Sequence, residues 1–274
     1  MTAMTAATID QLSGGRFLLG LGSSGPQVSE GWHGVRFAKQ LQRTREYVAV
    51  VRMALAHQKV EFHGETLELP LPDGPGKVLK LTIRPAQEKI PIYLAVLGPK
   101  NVALAGEIAD GWLPVFFSPE HTSSLRVPLE EGAALAGRSL DDFRICPTVN
   151  VMVSDDAQSA RDAMRPMLSL YVGGMGSREQ NFYNRLVSSY GFEAAAREVQ
   201  DLYLAGRKSE AAMALPDDLI DAVSITGPRD KARDRLRAYK DAGVETLIVS
   251  PMALENSARK EQLRLVAELA EEIG

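Results

Sequence analysis

The stretch RFLLGLGSSGPQVSEGWHG, beginning at Arg16, holds Gly20, Gly22 and Gly25 at G-x-G-x-x-G spacing, which can bring backbone close to a pyrophosphate. A dinucleotide-binding unit also needs a helix opening on the third glycine and an acidic residue about twenty positions on, at the end of a second strand. After Gly25 come Pro26 and a segment containing Gly31, Trp32 and Gly34, which reads as an irregular loop; helical patterning resumes only near Lys39. Glu46, at about the right distance, falls inside that helix. The alternative is a turn at the C-terminal end of a parallel strand, where glycines let the backbone pass close to a ligand. Gly22, Ser23, Ser24 and Gly25 then face that ligand, with Glu30 and His33 further along the same loop. A plain tight turn with surface serines shares this local sequence.

A second segment, Leu97-Gly98-Pro99-Lys100-Asn101, runs an apolar stretch into a helix through one glycine. Proline suits the first helical position, where the N–H has no partner anyway. The N–H groups of Lys100 and Asn101 are then open to an anion, and the helix dipole and the Lys100 charge favour one. An ordinary proline-started helix has the same sequence. Arg43 and Arg45 can reach that anion too, or lie on an exposed helix face.

Other chemistries find no support. The serines of GSSG are out of register for the G-x-S-x-G nucleophile elbow. His57, His63 and His121 lack ligand spacing, and no H-E-x-x-H or paired cysteine occurs, so no metal is expected. Cys146 is the only cysteine, which rules out an internal disulfide and fits the cytoplasm.

These residues need strands and helices to hold them. Short apolar runs at 17–22, 92–97, 112–117, 143–153 and 246–250 read as strands covered on both faces. Helical patterns at 39–56, 99–108, 157–171, 192–204, 228–242 and 256–273 alternate with them. Strand then helix, repeated, implies parallel β/α units. The segment KIPIYLAVLGPKNVALAGEIADGWLPVFF is one full crossover, with a helix that starts at Pro99 and ends near Ala109, and Gly111 in the C′ role before the next strand. Residues 58–90 read as a hairpin and loop. Residues 172–221 read as a helical excursion opening on a flexible GGMG, with Tyr171, Phe182, Tyr183 and Tyr190 as its aromatics. No linker divides the 274 residues, so a single domain is expected.

A net charge of −4 without a basic stripe argues against nucleic acid, and no apolar run reaches the ~20 residues of a membrane span. The N-terminal MTAMTAATIDQLSGG lacks a signal peptide's pattern and reads as the end of a helix stopped by Gly14-Gly15.

Together, LSGGRFLLGLGSSGPQVSEGWHG, the Arg43-Thr44-Arg45-Glu46-Tyr47 helix start, IPIYLAVLGPKNVALAGEIADGWLP, YVGGMG and AGVETLIVSP resemble the luciferase-like oxidoreductases, over essentially the whole chain. Within them the sequence is similar to the actinobacterial branch that uses the deazaflavin coenzyme F420. The resemblance implies an α/β fold, a (β/α)8 barrel with an insertion at 172–221, and a cofactor at the C-terminal ends of the strands. It implies that Gly98, Pro99 and Asn101, with Lys100 beside them, wrap the cofactor phosphate, and that Ser23, Ser24 and Gly25 lie near the cofactor. It also implies hydride transfer between F420 and a small organic substrate, and frequent homodimers. Hydride transfer needs a proton carrier, and His33 and Glu30 are the candidates in the glycine loop. Two other readings remain: a monooxygenase using FMN, and a non-catalytic flavin-binding protein.

Two departures stand out. Relatives carry three further β/α units before the first helix, so the chain reads as a fragment or as one whose start lies upstream. Some relatives also place a catalytic carboxylate directly after the glycine turn, where this chain has Pro26 and Gln27; Glu30 is the nearest carboxylate.

Overall fold

Ala6 and Ala7 turn inward from an N-terminal helix, Thr2–Ser13, and Gly14 ends it at φ 66, the left-handed cap that the glycine pair implies. The computed structural model describes residues 1–274. Contacts gather in two compact units, Met1–Trp112 with Pro128–Phe143, and Leu113–Val127 with Arg144–Gly274.

In the first unit three short strands run parallel. Ile92–Leu94 is central and wholly buried, with Leu19–Leu21 on one side and Gly111–Trp112 on the other. The register pairs Leu19 with Ile92 and Leu21 with Leu94, and the ladder extends through Leu19 N–H to Pro91 O (2.9 Å) and Ala95 N–H to Leu21 O (2.8 Å). The helices Gln40–Leu55 and Pro99–Ile108 fall where periodicity places them. Residues 58–90 contain two antiparallel pairings, Lys59–Val60 with Leu79–Lys80 and Phe62–His63 with Glu68–Leu69, as the hairpin reading expects. Buried Asp10 accepts hydrogen bonds from the Gln87 N–H (2.9 Å) and side-chain amide (2.6 Å), so the first helix is tied to the loop before Ile92.

Two local expectations change here. Residues after Gly25 are not irregular: Pro26–Gly31 is a short helix, with Gly25 at its N-cap and Pro26 at the first position. Its six residues still make no dinucleotide unit, because the parallel partner of Leu19–Leu21 comes only at Ile92. The helix ends at Ala109 as expected, but Ala109 caps it in extended conformation and Gly111 begins the next strand instead of serving as its C′ residue.

In the second unit Thr148–Val153 is the middle strand, parallel to Ser224–Gly227 and to Ile248–Pro251. Val149, Val151 and Val153 are buried while the residues between them are half-buried, so this strand alternates where full coverage was expected. The run 143–153 is broken at Cys146-Pro147 into Arg144–Ile145 and Thr148–Val153, since proline has no N–H for the ladder. Ser224–Gly227 is a strand that the apolar-run reading misses.

The excursion is helical, as expected, with Phe182–Val187, Glu193–Leu204, Lys208–Met213 and Asp217–Val223 as its α-helices. Its opening is not loose, however. Gly173 and Gly174 belong to a π-helical turn, Leu170–Gly174, pressed against Tyr203; a Cβ on Gly173 would lie 2.5 Å from that of Tyr203. The helix expected over 157–171 is two pieces, Ala157–Asp162 and Arg165–Ser169, leading into this turn. Tyr171, Tyr183 and Phe116 meet edge to face, and Tyr190 donates to Phe116 O (2.9 Å), so three of the four aromatics pack the interior. Phe182 is exposed beneath the Arg185 guanidinium. No helix is long and apolar enough to cross a membrane.

Candidate functional site

Parallel pairing in register brings the two sequence motifs together. Because Leu21 lies beside Leu94, the loops that follow them leave the same edge of the sheet, the end where α/β folds bind ligands. Gly22 permits close approach, since a Cβ there would stand 3.2 Å from Ala95 O. Trp112 Nε1–H donates to Val96 O (2.9 Å) and fixes the second loop from the neighbouring strand.

A cleft of about 270 Å³ opens at this edge. Gly22, Ser23 and Val96 line it from the loops, and Arg43, Thr44 and Tyr47 from the helix Gln40–Leu55. Only one of the two candidate arginines is available to a ligand. Arg45 forms a two-pronged ion pair with Glu107, which holds the Glu107 carboxyl below its ordinary range. Arg43 has no such partner, and its Nε is buried without a hydrogen bond. A buried unpaired donor is costly and asks for an acceptor.

The helix start Gly98–Asn101 follows Val96 by two residues, and none of its four residues lines the cleft itself. Gly98 takes φ 81 and ψ 145, and the space where a Cβ would stand is open. Asn101 corrects one expectation, because its N–H closes a turn onto Gly98 O (3.1 Å) and is not open. Its side-chain amide reaches back to Leu97 O (3.2 Å), so Asn101 shapes the loop, and Lys100 N–H, at the second helical position, is left without a partner inside its helix. Pro99 and the Lys100 side chain are exposed.

Ser24 is exposed at φ 59, and Gly25 caps the short helix; neither lines the cleft. Glu30 accepts the Phe37 N–H (3.0 Å) and faces Arg36 (3.5 Å), so its carboxylate holds the loop 30–37 together. His33 is exposed on that loop with its ring stacked beside Trp32. Thr44 and Tyr47 enter the sequence reading only within a helix-start motif and not as lining residues, although Gln40, Arg43, Thr44 and Tyr47 share helical i, i+3, i+4, i+7 spacing on one face.

A luciferase-like monooxygenase model matches residues 1–246. The chain belongs to this family. It is 45% identical over 260 residues to a Mycobacterium tuberculosis protein named "Putative coenzyme F420-dependent oxidoreductase", covering 92% of this chain and 75% of that one. It is 28% identical over 267 residues to the 5,10-methylenetetrahydromethanopterin reductase of Archaeoglobus fulgidus, covering 97% and 76% respectively. Among solved structures, the coenzyme F420-dependent tetrahydromethanopterin reductase from Methanopyrus kandleri superposes with a TM-score of 0.80 at 24% identity, covering 99% of this chain and 78% of that one. A type II Baeyer-Villiger monooxygenase from Pseudomonas putida in complex with FMN superposes at 0.63 and 19% identity. These likenesses give the chain the α/β-barrel fold of the luciferase-like family, as the sequence implied.

Proposed function

We propose that this chain binds coenzyme F420 at the edge formed by Gly22–Ser23, Val96–Lys100 and Arg43, and serves as an oxidoreductase acting on a small organic substrate. The observation that carries the reading is the 45% identity, along 92% of the chain, to a relative named for that coenzyme. The residues fit a phosphate-bearing group, since Arg43 Nε lacks an acceptor, Lys100 N–H at the second helical position has no partner inside its helix, and nothing fills the space over Gly98.

When bound, the deazaflavin supplies the carbon that gives or takes a hydride. The chain's own groups bind and orient. Arg43 and Lys100 meet the phosphate, Gly22 and Gly98 admit it close to the backbone, and Ser23 offers a hydroxyl. His33 is the proposed proton carrier for the substrate, and Glu30 acts through the loop it braces.

Equilibrium dialysis against F420 and against FMN tests the reading. F420 is retained, and Arg43→Gln weakens it by about tenfold or more, as loss of a charged hydrogen bond should. Arg45→Gln leaves the affinity within about twofold, because Arg45 is spent on Glu107. Retention of FMN without F420 would transfer the chain to the FMN-dependent monooxygenase reading, and retention of neither to a role without a flavin.

A further inference from the structure

The second unit holds a cleft of its own, about 490 Å³, within the roughly 300–1,000 Å³ of small-molecule sites. It lies among the Ser118–His121 turn, the strand Ser224–Gly227 and the helices Asp217–Val223 and Arg229–Asp241, and shares no lining residue with the first unit's cleft.

One wall presents acceptors. Ser118 is fully buried, and its hydroxyl hydrogen goes to Glu120 Oε2 (2.7 Å). His121 Nδ1 lies 3.0 Å from the Ser118 Oγ, whose hydrogen is already given to Glu120, so Nδ1–H is the donor of that bond. In the tautomer that this bond selects, the lone pair lies on Nε2. The ring is held flat on Tyr190, with centroids 4.4 Å apart, and Tyr190 is itself anchored to Phe116 O. Asp218 adds an exposed carboxylate to the lining.

Unspent donors complete the lining. Ser224 is 1% exposed, and its hydroxyl has no hydrogen-bond partner. Arg235 binds Glu120 and Ala222 O through its terminal nitrogens, yet its Nε is buried and unpaired. Asp221 is already satisfied by Lys231 (2.6 Å), Arg161 (2.8 Å) and the Thr226 hydroxyl (2.6 Å), while Lys231 keeps further N–H donors at the rim. Phe192, Ala222 and Ala238 supply apolar surface. The lining holds the carboxylates Glu120, Asp218, Asp221 and Asp234 against the cations Lys231 and Arg235, an excess that repels a simple anion.

We infer that this cleft binds a small zwitterion, an α-amino acid with an apolar side chain. Its ammonium donates to His121 Nε2 and Asp218; its carboxylate accepts from Ser224 Oγ–H and Arg235 Nε–H. Acceptors and donors in one cleft, with apolar surface beside them, match such a molecule at both ends, whereas an amine or a carboxylic acid satisfies one end and leaves the other desolvated.

Calorimetric titration of the full chain with L-leucine, 3-methylbutylamine and 4-methylpentanoate tests this. Leucine binds, and each truncated counterpart binds at least about tenfold more weakly. Ser224→Ala weakens leucine about tenfold without lowering Tm, because in the free protein that hydroxyl bonds to nothing. Asp218→Asn weakens leucine and the amine while sparing the acid. Three outcomes overturn the inference: no binding of any probe, leucine no tighter than a counterpart, or a Ser224→Ala variant that loses Tm and keeps its affinity. None of them bears on F420 binding, which is read with a different ligand and through Arg43.

Discussion

Glu46 stands where a dinucleotide fold would place its ribose-binding acid, and the structure spends it on architecture. It is 2% exposed inside the helix Gln40–Leu55, and it accepts the N–H groups of Glu65 (2.7 Å), Thr66 (2.8 Å) and Leu67 (2.9 Å), with Gln42 and the Thr66 hydroxyl in addition. Gly64 is required beside it, since a Cβ there would lie 2.6 Å from the carboxylate. Burial alone would raise this carboxyl, but the hydrogen bonds from Thr66, Gln42 and Glu65 outweigh it and bring the pKa from 4.5 to about 2. A folded-state value below the unfolded one adds stability that is complete above pH 4.5 and is lost as pH falls towards 2. The urea midpoint of Glu46→Gln should therefore lie below that of the unmodified protein at pH 7, and the gap should close between pH 4.5 and pH 2. A gap that stays constant through that window would mean that Glu46 does not act through its charge.

At the scale of elements, what was legible in the sequence follows from where each signal resides. Pro99–Ile108 begins on a proline and Asn256–Ile273 carries a continuous helical pattern, so both have the predicted bounds. Ser224–Gly227 was not legible, because SITG is strand through its burial between other elements and pairing with Asn150–Val153, not through an apolar run of its own. The contact between Pro99–Ile108 and the second half of Thr122–Leu135 was equally hidden. A Cβ on Gly106 would lie 2.1 Å from Leu129 O, and one on Gly132 would lie 1.8 Å from Ala103 O, so the two backbones touch through paired glycines. Helix propensity alone makes Gly132→Ala favourable by up to about 1 kcal/mol. The clash should win, with a net loss of about 1–3 kcal/mol as in other overpacked interiors, measured by urea unfolding. A Gly132→Ala protein as stable as the original would show that the helices separate at no cost.

For the molecule as a whole, both halves of the candidate site could be read from sequence, because each is a local motif: a glycine turn after a strand, and a proline-started helix after another. Their convergence rests on the parallel register of Leu19–Leu21 with Ile92–Leu94, which pairs residues some seventy positions apart. The choice between Arg43 and Arg45 was not legible at all, since it is decided by Glu107, 62 residues beyond Arg45. Ligand binding to the native state alone couples this local geometry to the stability of the protein. At a hundred times its Kd the proposed cofactor should stabilise the native state by about 2.7 kcal/mol, enough to raise Tm by several degrees in a chain of this size. Hydrogen exchange locates that gain. Amides of residues 21–25, 43–47 and 96–101 should slow on adding F420, and in Arg43→Gln the same concentration should protect them less. Protection absent from all three segments, with Tm still raised, would place the cofactor elsewhere and remove Arg43 from its site.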